Sequence, residues 1–305
     1  MIFAALLCIS VAALLSGCHT GVPAETADHL IGEEYPDAGK YLTGAFTYSA
    51  DEVKAVEVYW RSGEVDIRES DGASFRVTES GELPEESAMH YFLDGDVLRI
   101  RFCASGANIR VKPSDKRLSL EIPKGIELSV HTTAASITAA SLEQRSILFA
   151  SMSGRTELGT VTADSVDLSA SSGSVRADSV MSQSLKCRTS SGSVELGAVS
   201  VKSLDCGTSS GSVSVTGAVS ESARITTSSG GVRLALTKAP DAEVHTSSGG
   251  VAMTLGDGGA EVLYTSGSGR LRTELSYEQR GDVYVFGGGE GHFTVSTSSG
   301  HLEIK

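Results

Sequence analysis

The sequence is poor in the features on which most folds are built. Its 305 residues include only six prolines and no long segment in which apolar residues recur with the 3.6 period of a helix. That argues against a helix-bearing enzyme scaffold. Positive charge is also scarce, since 25 Lys and Arg stand against 38 Asp and Glu for a net charge of -13. A balance this acidic argues against nucleic acid as a partner, and against gripping an anionic lipid surface by charge. The histidines His19, His29, His90, His131, His245, His292 and His301 share no metal-ligand spacing, and neither His-Glu-x-x-His nor paired Cys-x-x-Cys occurs. No metal, no cofactor and no catalytic residue is therefore expected.

Glycine is plentiful, and its spacing is the main signal. Ser-Gly recurs at Ser153-Gly154, Ser172-Gly173, Ser191-Gly192, Ser210-Gly211, Ser229-Gly230 and Ser248-Gly249, and the interval from Gly154 to Gly173 repeats unchanged along the series. One further step back lands on Ala135. A period near 20 that survives this many repeats marks a solenoid, in which each repeat buries what it could not bury alone. Two residues after the markers stand Ile137, Val175, Val194, Val213, Val232 and Val251, with Thr156 the polar member, and four after stand Ala139, Leu158, Ala177, Leu196, Val215, Leu234 and Met253. The residues between them are mostly polar, which is the period-two pattern of a half-buried strand. A second alternating stretch supplies Val166/Leu168, Leu185/Cys187, Leu204/Cys206, Ala223/Ile225 and Ala242/Val244. A third row, Leu142, Val161, Val180, Val199 and Ala218, is assigned to the far corner. Each coil is thus expected to hold two short strands and a corner around a thin core, making an all-β, single-chain β-solenoid of about 19-residue coils capped at both ends.

Outward positions agree with this register. Asp167, Lys186, Asp205, Arg224 and Glu243 alternate in sign from coil to coil, as neighbours one strand spacing apart should. The recurring Thr-Ser-Ser-Gly corners at Thr189, Thr208, Thr227 and Thr246 are read as turn chemistry, with hydroxyls serving backbone groups left over at the bend. A sugar- or ice-binding hydroxyl ladder is the alternative, and the charged outward rows count against ice.

The stretch from Met1 to Gly17 forms an uncharged run suited to a secretion signal and short for a membrane-spanning helix. The run ends in Leu15-Ser16-Gly17-Cys18, which resembles the lipobox of bacterial lipoproteins, and the resemblance implies cleavage before Cys18 and lipidation of that residue. No Lys or Arg precedes the run, so the true start is expected upstream of Met1. Residues 18–43 are read as a lipid-anchored tether and 44–305 as the solenoid domain, with irregular coils over 44–130, regular coils over 131–269 and a cap over 270–305. Lys305 is expected to guard the last edge strand.

The ordered combination of Tyr59-Trp60-Arg61-Ser62-Gly63-Glu64-Val65-Asp66-Ile67, Arg99-Ile100-Arg101-Phe102-Cys103, Leu120-Glu121-Ile122-Pro123-Lys124-Gly125 and the Ser-Gly repeats resembles a bacterial adhesin-like family of β-strand-repeat proteins, a domain of unknown function. The resemblance spans about Ala45 to Lys305 and implies a β-solenoid in the cell envelope, outside the cytoplasm. It carries no catalytic residues across. The expected role is a non-catalytic lipoprotein held to the membrane through Cys18, contacting an envelope polysaccharide or a surface protein. The competing class is a glycan-active β-helix enzyme, for which Asp257, Asp282 and Glu290 would have to converge. Cys187 and Cys206 occupy one inward position in successive coils, about 4.8 Å apart, within reach of a disulfide. Their row is otherwise apolar, so buried unbonded thiols are expected, with Cys103 unpaired as well.

Overall fold

The computed structural model describes residues 34–81, 83–107, 116–238 and 241–305. The signal run, Cys18 and residues 18–33 of the tether lie outside the described residues. Five long strands carry the regular coils: Ser136–Ser151, Thr156–Ala170, Val175–Thr189, Val194–Thr208 and Val213–Thr227. They lie parallel, with Val175 opposite Val194, Lys186 opposite Asp205 and Thr189 opposite Thr208. The two short strands expected per coil run together into one bent ladder, because the bend at Val161, Val180 and Val199 keeps its own register. Val175, Ala177, Val180, Leu185 and Cys187 are all at most 1% exposed, so every coil adds one thin apolar slice to a continuous core.

The Ser-Gly corners stack so closely that a Cβ on Gly192 would lie 1.8 Å from the carbonyl oxygen of Gly173. Glycine is required there by the neighbouring coil rather than by its own dihedral angles. The buried threonines serve the same corner: the N–H of Gly211 donates to Thr208 Oγ1 at 3.0 Å and that of Gly230 to Thr227 Oγ1 at 3.0 Å. Outward charges pair as a ladder should, with Lys186 3.0 Å from Asp167 and Arg224 2.9 Å from Glu243, while Asp205 takes Arg188.

One corner departs from the expected row. In Val213–Thr227 the chain bulges at Gly217, whose φ of +140° is open to glycine, and Val199 faces Gly217 instead of Ala218. Ala218 is therefore only partly buried, and Val219, at 0% exposure, fills the core. Pairing is restored by the time Ser203 meets Ser222.

Spatial order and chain order diverge at both ends. After the coil of Ala242–Thr246 and Val251–Leu255, the next level in space is formed by Gly291–Thr297 and Leu302–Ile304. The coil of Ala260–Ser266 and Leu271–Thr273 stacks outside that one. The corner residues thus run Gly249, Gly300, Gly269, and nine levels run from Ala135 to Gly269 inclusive. The expected terminal cap is corrected accordingly: 291–304 is interior, and the hairpin of Tyr277–Arg280 and Val283–Phe286 covers the end. Lys305 does not guard an edge, because Leu302 and Ile304 are buried between two neighbouring strands.

The other end mirrors this. Ala55–Trp60 and Glu64–Glu69 form a coil inserted between Val97–Arg101 with Arg117–Ile122 on one side and Glu127–Thr132 with Ser136–Ser151 on the other. Antiparallel strands close it off, with Ser74–Glu79 against Arg117–Ile122 and His90–Asp94 against Val97–Arg101. The tether also ends earlier than expected. Leu42–Thr43 pairs with His90–Asp94, the Tyr41 ring packs on Phe92 at 5.4 Å, and the Tyr35 hydroxyl donates to the Cys103 carbonyl at 3.0 Å. Aromatic side chains thus hold 35–43 on the solenoid. Among the described residues there is no α-helix, and no helix is long and apolar enough to cross a membrane.

Candidate functional site

The interleaving of the first coil builds a groove on one outer face. Because Glu64 stands opposite both Arg117 and Ser136, a row forms across four strands, Arg117, Glu64, Ser136 and Arg155. The next outward row brings Asp66, Thr138 and Glu157 side by side. The turn at Ser80 stands over one end, held by the N–H of Arg117 donating to Ser80 Oγ at 2.9 Å. The resulting groove has a volume of about 590 Å³ and is lined by Gly63, Ser80 and Lys116 besides Glu64, Arg117, Ser136, Thr138, Arg155 and Glu157.

Its charges are already matched. Arg117 lies 2.5 Å from Glu64 Oε2, while the Thr138 hydroxyl donates to Glu64 Oε1 at 3.2 Å. On the opposite wall Arg155 sits 3.1 Å from Glu157. Lys116 is different in kind, since its side chain is fully buried. Its ammonium lies 2.7 Å from Glu79, donates to the carbonyls of Ser87 at 2.5 Å and Phe102, and rests 4.0 Å from the centre of the Phe102 ring. Burial lowers the Lys116 pKa, and the Glu79 carboxylate opposes that shift. Lys116 therefore anchors the groove floor to the end cap.

Along the other face runs a stack of rings. The Arg101 guanidinium lies 5.2 Å from the Tyr35 ring and 3.9 Å from that of Tyr59, which stacks on His131 at 4.9 Å. Burial, with help from Arg101, holds the His131 pKa down to about 4. Burial also raises the phenol of Tyr59 and the thiol of Cys103.

The carboxylates of the enzyme reading do not converge. Glu290 packs beside Gly258, next to Asp257, with its N–H donating to the Gly258 carbonyl at 3.4 Å. Asp282 lies at the opposite end of the strand Ala260–Ser266, where its carbonyl accepts from the Tyr264 N–H, roughly 17 Å along a strand from Gly259. All three side chains are exposed. Among the described residues no group of His, Cys, Asp and Glu could hold a metal ion. Cys187, Cys206 and Cys103 are buried and unbonded. Cys18 lies outside the described residues.

Sequence reasoning missed the groove, since its residues come from five segments with no shared motif. The available signal was the Ser62-Gly63 marker: stacking it beneath Ala135 and Gly154 places Glu64 beside Ser136, with Arg155 on the far side of Ser136.

Residues 53–305 match the family model Toastrack DUF4097. Among solved structures, a "putative adhesin" from Parabacteroides merdae matches with a TM-score of 0.50 and 13% identity over 70% of this chain and 96% of that one. A "putative lipid binding protein" from Parabacteroides distasonis gives a TM-score of 0.48 and 15% identity over 88% of this chain and 98% of that one. No curated protein matches the sequence. At 13% identity the likeness to the Parabacteroides merdae structure concerns the fold alone.

Proposed function

The chain belongs to the Toastrack DUF4097 family, and on that premise we propose that it is a non-catalytic lipoprotein of the bacterial cell envelope, presenting a rigid β-solenoid for adhesion or scaffolding outside the cytoplasm. The supporting observation is the form of the outer faces. Charged side chains there are matched along in-register ladders, and of the carboxylates considered for glycan cleavage Asp282 stands apart from Asp257 and Glu290. A surface of this kind makes contacts rather than a reaction centre. The described chain begins its docking at Tyr35, so a Cys18 anchor would leave about 16 residues, up to some 50 Å if extended, between lipid and solenoid. Fractionation of cells carrying Cys18→Ala tests the anchor. Loss from the membrane fraction, or accumulation of unprocessed precursor, is expected, whereas normal processing and membrane association would refute it.

A further inference from the structure

We propose that the groove between Arg117 and Arg155 is a binding site for a neutral glycan segment, the kind of envelope polymer the solenoid contacts. This rests on the reading of the protein as a surface-contact module. Three observations carry it. The groove is concave and, at about 590 Å³, within the range of sites that enclose a small ligand. Its walls offer donors and acceptors in alternation. Each guanidinium has five N–H donors of which its ion pair uses a part, and each carboxylate has lone pairs to spare. Ser136 and Thr138 add hydroxyls to the floor between them.

The third observation is the balance of charge. Glu64 neutralises Arg117, Glu157 neutralises Arg155, and Glu79 neutralises Lys116. An anionic ligand would have to break one of these pairs and face its carboxylate. A sugar hydroxyl accepts from the guanidinium and donates to the carboxylate at once, leaving the pair intact. Among the described residues no aromatic or aliphatic side chain lines the groove, which disfavours an apolar ligand such as an acyl chain. The row from Arg117 to Arg155 crosses three strand spacings, about 14 Å, so the site spans more than one sugar ring.

The test is an array of short neutral and uronate-containing oligosaccharides probed with the membrane-extracted mature protein, followed by calorimetry at low and high salt. Expected is binding of a neutral oligosaccharide that salt does not weaken. Arg155→Ala and Glu157→Gln should each weaken it about tenfold or more. Arg155→Lys, which keeps the charge and loses the planar fork, should weaken it as well. Arg233→Ala, an exposed arginine further along the same face, should leave it unchanged, and circular dichroism verifies that every variant is folded. The proposal is overturned if no neutral oligosaccharide binds, if only uronates bind and salt releases them, or if groove variants bind as the parent does. Its failure leaves the anchor untouched, because membrane fractionation reads Cys18 independently of any sugar.

Discussion

Cys187 faces Cys206 directly across two parallel strands, both side chains are fully buried, and no bond joins them. Their neighbours in the same row are Leu168 and Ile225, so the thiols fill the core as small apolar groups. The hydrogen bond between the two, together with burial, holds the Cys187 pKa well above the ordinary thiol value. Thiolate, the species that reacts, is therefore suppressed. Mature protein lacking Cys18 should give alkylated Cys103, Cys187 and Cys206 when unfolded without reductant. A linked Cys187–Cys206 peptide in the mass spectrum would contradict this.

Adjacent glycines should respond oppositely to the same substitution. A Cβ on Gly230 would lie 1.6 Å from the Gly211 carbonyl oxygen, so Gly230→Ala forces two coils apart and should cost at least about 2 kcal/mol. At Gly231 the nearest atom is 3.6 Å away and the backbone needs no positive φ. Gly231→Ala should be neutral or stabilise by up to about 1 kcal/mol through the unfolded chain. Urea unfolding of both variants decides the point, and equal effects would show the corner stack to be wrong.

His131 makes stability depend on pH. Its pKa is about 4 in the fold against an ordinary 6.5, because burial and Arg101 disfavour the imidazolium. The unfolded chain thus takes up a proton at a pH where the fold does not. The contribution is complete above pH 6.5 and is lost as the pH falls toward 4, on the order of 2 kcal/mol for a ring that keeps some contact with solvent. His131→Phe, which preserves the stack on Tyr59, should lose less stability than the parent between these limits in urea titrations. Parallel curves for the two proteins would rule the effect out.

What could be read from the sequence follows the range of each interaction. The inward pairs Val175/Ala177 and Leu185/Cys187 and the Asp167–Lys186 contact were legible, since each coil's partner lies a single repeat away and the alternation names the buried face. Val251 pairing with Leu302 rather than directly with Leu271 was not. The alternations in Val251–Leu255, Leu271–Thr273 and Leu302–Ile304 are equivalent, and periodicity carries no information about which one stacks on which. The same ambiguity hid the groove, because Glu64, Arg117 and Arg155 become neighbours only through the inserted first coil. At Gly217 a cue existed: the corner glycine comes one residue later than Gly159 and Gly197 do in their coils.

The inserted coil also dictates when the protein can finish folding. From Ser136 to Thr227 each new strand adds to the one completed just before it in the chain, so this part can close like a zip, one short loop at a time. Leu302 cannot take its place until Val251 and Leu271 both stand ready, and Val58 waits likewise for Ile100 and Val130. Each end is therefore a latch that shuts last, against neighbours far away in the chain, and long-range closure of that kind is slow. Once shut, the strand Leu302–Ile304 is held on both sides, so the stack cannot be peeled by drawing on that strand alone.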